Sequence, residues 1–210
     1  MMMNKLYAIT DSQLTPGDAL FTSVAAALKG GCKLVQYRDK SSDTARRIHE
    51  AKTLLGLCNQ YQAQLIINDD VSLAKEVGAH GIHLGQDDVS PVAARIILGS
   101  HAIIGVTCHA SLELAHQAIK DSANYIAFGR FFPSSTKPDA PPAPISLISE
   151  ARAQFGNTPI VVIGGITLEN GKQLLDAGAD SLAVCHSLFA AEDITAQARK
   201  FIELSIKDQD

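Results

Sequence analysis

The stretch Gly178-Ala179-Asp180-Ser181-Leu182 closes one helical pattern and opens one apolar strand. Gly78-Ala79-His80-Gly81-Ile82 and Ser122-Ala123-Asn124-Tyr125-Ile126 repeat its grammar: a turn-forming residue, alanine, a polar residue, then the strand. A junction that recurs in this way is what a chain of βα units produces. Working outward, the periodicity predicts strands at 6–10, 34–37, 65–68, 81–84, 103–106, 125–128, 160–163 and 182–185, each short and without clean polar alternation. Strands of that kind are buried on both faces, as in a parallel sheet. Amphipathic helices are predicted between them at 18–29, 43–61, 71–77, 91–98, 112–121, 144–155, 168–177 and 193–206. Eight units of this length favour a closed (β/α)8 TIM barrel over an open doubly wound sheet. The loop after the first strand, Thr10-Asp11-Ser12-Gln13, also lacks the GxGxxG of a dinucleotide fold.

At 210 residues and 46% hydrophobic content, the chain is read as one domain over 1–210. A formal net charge of −4 supplies no basic stripe for nucleic acid or an anionic membrane. The start, Met1-Met2-Met3-Asn4-Lys5, runs straight into a strand pattern with no signal-type apolar region, so a cytoplasmic protein is expected. The four cysteines, Cys32, Cys58, Cys108 and Cys185, form no CxxC and are read as reduced and structural.

In a barrel the C-terminal strand ends share one rim, where ligands bind. Phe128-Gly129-Arg130-Phe131-Phe132-Pro133-Ser134-Ser135-Thr136-Lys137 puts three hydroxyls and a lysine after a strand, as a phosphate requires. Val161-Val162-Ile163-Gly164-Gly165-Ile166 offers bare backbone N–H groups to the same anion. Gln36, Arg38 and Lys40 follow the second strand, Asn68, Asp69 and Asp70 the third, and Gln86, Asp87 and Asp88 the fourth. Asp69 and Asp88 on adjacent strands suit a hard divalent cation, and Arg38 and Lys40 suit phosphoryl oxygens; magnesium with a diphosphate fits both. Taken singly, these motifs have structural readings: Asp70 as the N-cap of the next helix, and Asp39 as an ion-paired loop residue. Their joint position on one rim favours function. His80 and His83 point to opposite faces and make no ligand pair. The Pro-rich interval 134–144 reads either as a closing element or as a stiffened βα connection.

The ordered set Tyr7-Ala8-Ile9-Thr10-Asp11, Gln36-Tyr37-Arg38-Asp39-Lys40, Ile67-Asn68-Asp69-Asp70, His83-Leu84-Gly85-Gln86-Asp87-Asp88, Phe128 to Lys137 and Ile163-Gly164-Gly165-Ile166 resembles the thiamine-phosphate synthase family, from about Leu6 to Leu188. The resemblance implies a TIM barrel that joins a pyrimidine-methyl diphosphate to a thiazole phosphate with magnesium, releasing pyrophosphate. It implies that Gln36, Tyr37, Arg38, Asp39, Lys40, Asn68, Thr107 and Lys137 meet the pyrimidine diphosphate, with Arg38, Lys40 and Lys137 stabilising the leaving group. Asp69 and Asp88 would hold magnesium. Ser134, Ser135, Thr136, Gly165, Cys185 and His186 would meet the thiazole phosphate. Thr107 stands where the family usually has serine, and Val184-Cys185-His186-Ser187-Leu188 departs from the family's Val-Val-Ser-Ala-Ile, His186 replacing the serine. Arg130 replaces a frequent proline. The implied reaction is a dissociative substitution through an aminopyrimidine-stabilised cation, which needs no protein nucleophile. Two alternatives share the scaffold, a thiazole tautomerase and a non-catalytic thiazole-phosphate sensor. The helix pattern is equally compatible with a homo-oligomer.

Overall fold

The computed structural model describes residues 4–133 and 142–204. Its strands are β1 (Leu6–Ile9), β2 (Leu34–Tyr37), β3 (Gln64–Asn68), β4 (Gly81–Leu84), β5 (Ile103–His109), β6 (Tyr125–Gly129), β7 (Ile160–Ile163) and β8 (Ser181–Val184). Its helices are α1 (Ala19–Lys29), α2 (Thr44–Gln60), α3 (Val71–Val77), α4 (Pro91–Leu98), α5 (Leu112–Lys120), α6 (Ser146–Phe155), α7 (Leu168–Asp176), α8 (His186–Phe189) and α9 (Ile194–Glu203). The strands close in the order β1 to β8, every neighbouring pair parallel. The fold is a (β/α)8 barrel. Two details differ from the sequence pattern. β5 runs on to His109 through a register shift between Thr107 and His109, and the one-turn α8 follows β8 directly. Four residues are too few for a 3.6-residue period to stand out, which is why α8 left no signal.

Alternation along each strand divides the core in two. Leu6, Ala8, Val35, Leu65, Ile67, Ile82, Ile104, Ile126, Val162 and Leu182 face the helices. Tyr7, Ile9, Leu34, Ile66, Ile103, Tyr125, Ala127, Val161 and Ala183 fill the barrel. Gly105 makes room for the largest of these: a Cβ there would sit 1.9 Å from Tyr125 Cζ.

The recurring junctions lie at the N-terminal end of the barrel, and the polar residue in each does the same work. His80 Nδ1 accepts from Leu65 N–H at 3.0 Å, Asn124 Oδ1 from Ile104 N–H at 2.8 Å, and Asp180 Oδ2 from Ile160 N–H at 2.7 Å. Each satisfies a backbone donor at the start of the preceding strand, which burial would otherwise leave unpaired. Two arginines brace the ring. Arg95 of α4 donates to Asn124 Oδ1 (2.7 Å) and to the Ser122 carbonyl, and Arg152 of α6 pairs with Asp180 and donates to the Gly178 carbonyl (2.8 Å). Among the described residues no helix is long and apolar enough to cross a membrane.

Candidate active site

At the opposite end, the strand C-termini open into a cavity of about 420 Å³. Gln36, Arg38, Asn68, Thr107, Gly165, Cys185 and His186 all line it, seven of the twelve expected residues that are described; Lys40, Asp69 and Asp88 are not among the lining residues. Ile9, Ala127, Val161, Ile163, Ala183 and Val184 give it an apolar wall.

Its charged side is built on the first four strands. Thr10 Oγ1 accepts from the Arg38 N–H at 3.0 Å, and the Arg38 guanidinium lies 3.8 Å from the Asp11 carboxylate. Lys40 pairs with Asp69. Asp69 sits just past β3 in left-handed backbone geometry, φ 61°, with its N–H donating to the His83 carbonyl at 2.9 Å. Asp is one of the few non-glycine residues that tolerate this geometry. Asp88 Oδ2 accepts from Gly85 N–H at 2.7 Å, and its carboxyl shares a hydrogen bond with that of Asp69. Burial pushes the Asp69 carboxyl upward, but the hydrogen bonds from Lys40 and Asp88 outweigh it and hold Asp69 below the usual carboxylate range. Asp88 goes the other way, raised by burial and by the Asp69 carboxylate beside it. Two carboxyl groups in contact repel once both ionise, and a cation between them removes the conflict. Among the described residues no cluster of three or more His, Cys, Asp or Glu surrounds a metal position. A pair of carboxylates fits magnesium nonetheless, since that ion takes one or two from protein and fills its octahedron with water and phosphate.

Two expected residues turn away from the cavity. The Tyr37 side chain is buried between β2 and α2 and donates to Glu50 at 2.6 Å; its place on β2, one step from Gln36, aims it at the helices. Asp39 is buried in the following loop, 2.9 Å from the Arg46 guanidinium and accepting from Ser41 N–H. It is the ion-paired loop residue of the structural reading. Asp70 is the N-cap of α3, accepting from Leu73 N–H at 2.9 Å. Ser134, Ser135, Thr136 and Lys137, and the interval 134–141 of the proposed closing element, lie outside the described residues. Both flanks of that interval are tied to the barrel. Phe131 and Phe132 donate to the Ile163 and Gly164 carbonyls, and Ala143 donates to the Arg130 carbonyl. Gly165 has φ 61°, and a Cβ on it would stand 2.3 Å from the Pro133 carbonyl oxygen, so only glycine lets the two loops meet.

Sequence reasoning missed Thr10, Asp11, His109 and Arg130, which line the cavity, and the buried tyrosines beneath it. Tyr7 Oη and Tyr125 Oη lie 2.9 Å apart, Gln36 Nε2 donates to Tyr7 at 2.8 Å, and His83 bridges Tyr125 and Thr107. Counting inward positions by two from Ile9 and Ala127 reaches both tyrosines, so that signal was present. The cysteines are free; burial pushes the Cys185 and Cys108 thiols up to about 12.

Comparison with known proteins agrees with this geometry. The family described as "Thiamine monophosphate synthase" matches residues 6–188. The "Thiamine-phosphate synthase" of Saccharophagus degradans is 54% identical over 206 residues, covering 98% of this chain and 94% of its own. That of Marinobacter nauticus is 54% identical over 198 residues, covering 93% and 88%. The solved "Thiamine phosphate pyrophosphorylase" from Pyrococcus furiosus superposes with a TM-score of 0.86 at 33% identity, covering 95% of this chain and 94% of that one. The chain belongs to the thiamine monophosphate synthase family.

Proposed function

From membership of that family we propose that this chain is a transferase of thiamine biosynthesis. It couples 4-amino-2-methyl-5-(diphosphooxymethyl)pyrimidine to 4-methyl-5-(2-phosphoethyl)thiazole, or its carboxylated form, and yields thiamine phosphate and pyrophosphate. The observation that carries the assignment of roles is the convergence of Gln36, Arg38, Asn68, Thr107, Gly165, Cys185 and His186 on one cavity with Lys40, Asp69 and Asp88 beside it.

In the reaction the methylene C–O bond breaks, its electron pair leaves with pyrophosphate, and the thiazole nitrogen forms the new C–N bond. Arg38, Lys40 and Lys137 bind the diphosphate and stabilise the charge that gathers on it. Asp69 and Asp88 would hold magnesium, which would supply Lewis-acid charge for the leaving group. Lys40, paired with Asp69, would also reach the diphosphate and favours the ionised form of Asp69. Gln36 and Asn68 orient the pyrimidine. The apolar wall from Ile9 to Val184 keeps water from the cationic methylene. Gly165 and the backbone N–H groups of Cys185 and His186, with Ser134, Ser135 and Thr136, bind the thiazole phosphate. No nucleophile is called for, and the protonated Cys185 thiol beside the cavity is unsuited to be one. A soluble cytoplasmic enzyme acting on small phosphorylated molecules is the accompanying reading. Thiazole tautomerase and sensor roles are not favoured, because neither uses the Lys40, Asp69 and Asp88 cluster.

The test is to incubate the purified protein with both substrates and magnesium, omitting each in turn, and to measure thiamine phosphate and pyrophosphate together. Stoichiometric appearance of both is expected; thiazole-phosphate binding without product would overturn the reading.

A further inference from the structure

Five polar side chains cross the barrel interior beneath the cavity. Gln36 Nε2 donates to Tyr7 Oη (2.8 Å), Tyr7 Oη meets Tyr125 Oη (2.9 Å), and Tyr125 Oη meets His83 Nδ1 (2.9 Å). His83 Nε2 then meets Thr107 Oγ1 (2.8 Å). Both phenols are buried to within 1%, and burial pushes their pKa values up, so each keeps its single hydrogen. Among the described residues Tyr7 Oη meets two polar atoms, Gln36 Nε2 and Tyr125 Oη.

One hydrogen per hydroxyl fixes the direction of the whole chain. Tyr7 accepts from Gln36, so its own hydrogen goes to Tyr125. The Tyr125 hydrogen then goes to His83 Nδ1, the His83 proton sits on Nε2, and Thr107 Oγ1 accepts it. What remains at one end is the Gln36 Oε1 acceptor with the second Nε2 hydrogen beside it, in an order that the Tyr7 bond fixes, and at the other end the Thr107 O–H donor. Turning the Gln36 amide over would reverse every step, presenting a donor at Gln36 and an acceptor at Thr107. The two ends are therefore coupled, although they stand on β2 and β5.

We propose that this chain sets the hydrogen-bond polarity of the cavity, an acceptor at Gln36 and a donor at Thr107, and so selects an aminopyrimidine over the oxopyrimidine of the same shape. Tyr7, Tyr125 and His83 are positioning residues for that selection. The inference rests on the pyrimidine diphosphate occupying this cavity. An aminopyrimidine presents an N–H donor beside a ring nitrogen acceptor, whereas the oxo form presents a carbonyl beside a ring N–H. Against Gln36 Oε1 with the free Nε2 hydrogen beside it, the first meets acceptor with donor and donor with acceptor, whereas the second, held in the same pose, sets lone pair against lone pair and hydrogen against hydrogen. Thr107 can rotate its hydrogen to a ring nitrogen or a diphosphate oxygen, so Gln36 is the discriminating end.

The test uses the amino- and oxopyrimidine-methyl diphosphates, each titrated calorimetrically into the full chain with magnesium and without thiazole phosphate. Wild type is expected to prefer the amino form by about a hundredfold or more. In Tyr125→Phe the acceptor left to the Tyr7 hydrogen among the described residues is Gln36 Oε1, so the amide turns over and the preference falls by at least about tenfold. In Tyr7→Phe the amide is released and the preference moves towards one. Loosened packing alone would weaken both ligands together and leave the ratio unchanged. A wild-type ratio kept in both variants, each melting cooperatively, would overturn the proposal while leaving the enzyme assignment standing. Wild type that binds neither pyrimidine would overturn both.

Discussion

The two ends of this barrel treat polar groups in opposite ways. At the N-terminal end, His80, Asn124 and Asp180 repeat one bond to one kind of backbone donor, and Arg95 and Arg152 close the remaining carbonyls. Among the described residues these strand-start donors all find partners in the same chain, while the buried Ser181 hydroxyl at the start of β8 has none. At the C-terminal end nothing repeats: Lys40 pairs with Asp69, two carboxyls share a hydrogen bond, and Arg38 lines an open cavity. Polar groups left with bonding capacity are what a ligand can use, and like charges brought together are what a cation can relieve. One end carries stability and the other carries chemistry, the division expected of this fold.

The comparison predicts opposite phenotypes for substitutions at the two ends. The largest effect is expected from Asp69→Asn, which keeps a side chain tolerant of φ 61° and removes the charge that faces Lys40. Steady-state kinetics should show kcat/KM falling by about 10²–10³-fold, the range for losing one electrostatic partner of a transition state. The urea midpoint should barely move. Near wild-type turnover would remove Asp69 from the metal and leaving-group roles.

Asp180→Ala is the mirror experiment. It leaves the Ile160 N–H without an acceptor and deprives Arg152 of its carboxylate. Equilibrium urea unfolding should show a loss of about 2 kcal/mol, within the range for an orphaned buried donor. kcat/KM per folded molecule should stay as it was. Asp180→Asn, which keeps an acceptor, should recover most of the loss. If Asp180→Ala lowers activity without lowering stability, the division between the ends is wrong.

That division also explains what the sequence made legible. The junction grammar announced the barrel because the N-terminal end has one recurring problem, an unpaired strand-start donor, and one recurring solution. Strands β2, β4 and β7 fall where their apolar runs predict, since buried parallel strands need continuous hydrophobicity. At the other end there is no repeat to read, only position on the rim. Rim position led to Gln36, Arg38, Asn68 and Gly165, which line the cavity; Thr107, Cys185 and His186, which line it too, were implied by the family resemblance alone. Tyr37 and Asp39 were implied by the resemblance and do not line the cavity, because consecutive residues leaving a strand point alternately inward and outward. Thr10 and Asp11 entered as a missing glycine motif and as part of the resemblance, and neither showed the support Thr10 gives to the Arg38 backbone. The chain from Gln36 to Thr107 was invisible for a different reason: it joins five strands, and no local pattern encodes a contact between Tyr7 and Tyr125.

The smallest effect tests whether the C-terminal end gives up stability for its chemistry. In Asp88→Asn the new amide can still accept from Gly85 N–H and can donate to Asp69, so the geometry survives while one charge disappears. Asp88 is exposed and solvent screens it, so the metal-free variant should gain no more than about 1 kcal/mol at neutral pH. The sign follows from proton linkage. Asp88 holds its proton to higher pH in the folded chain than in the unfolded one, so folding stability falls as pH rises from the ordinary carboxylate range through the raised value. The variant lacks that slope, and its advantage over wild type should vanish in acid, where both forms are neutral. Magnesium should raise the melting temperature of wild type and leave that of the variant unchanged. A variant less stable than wild type at neutral pH would mean that Asp88 belongs with the self-satisfied polar groups of the other end.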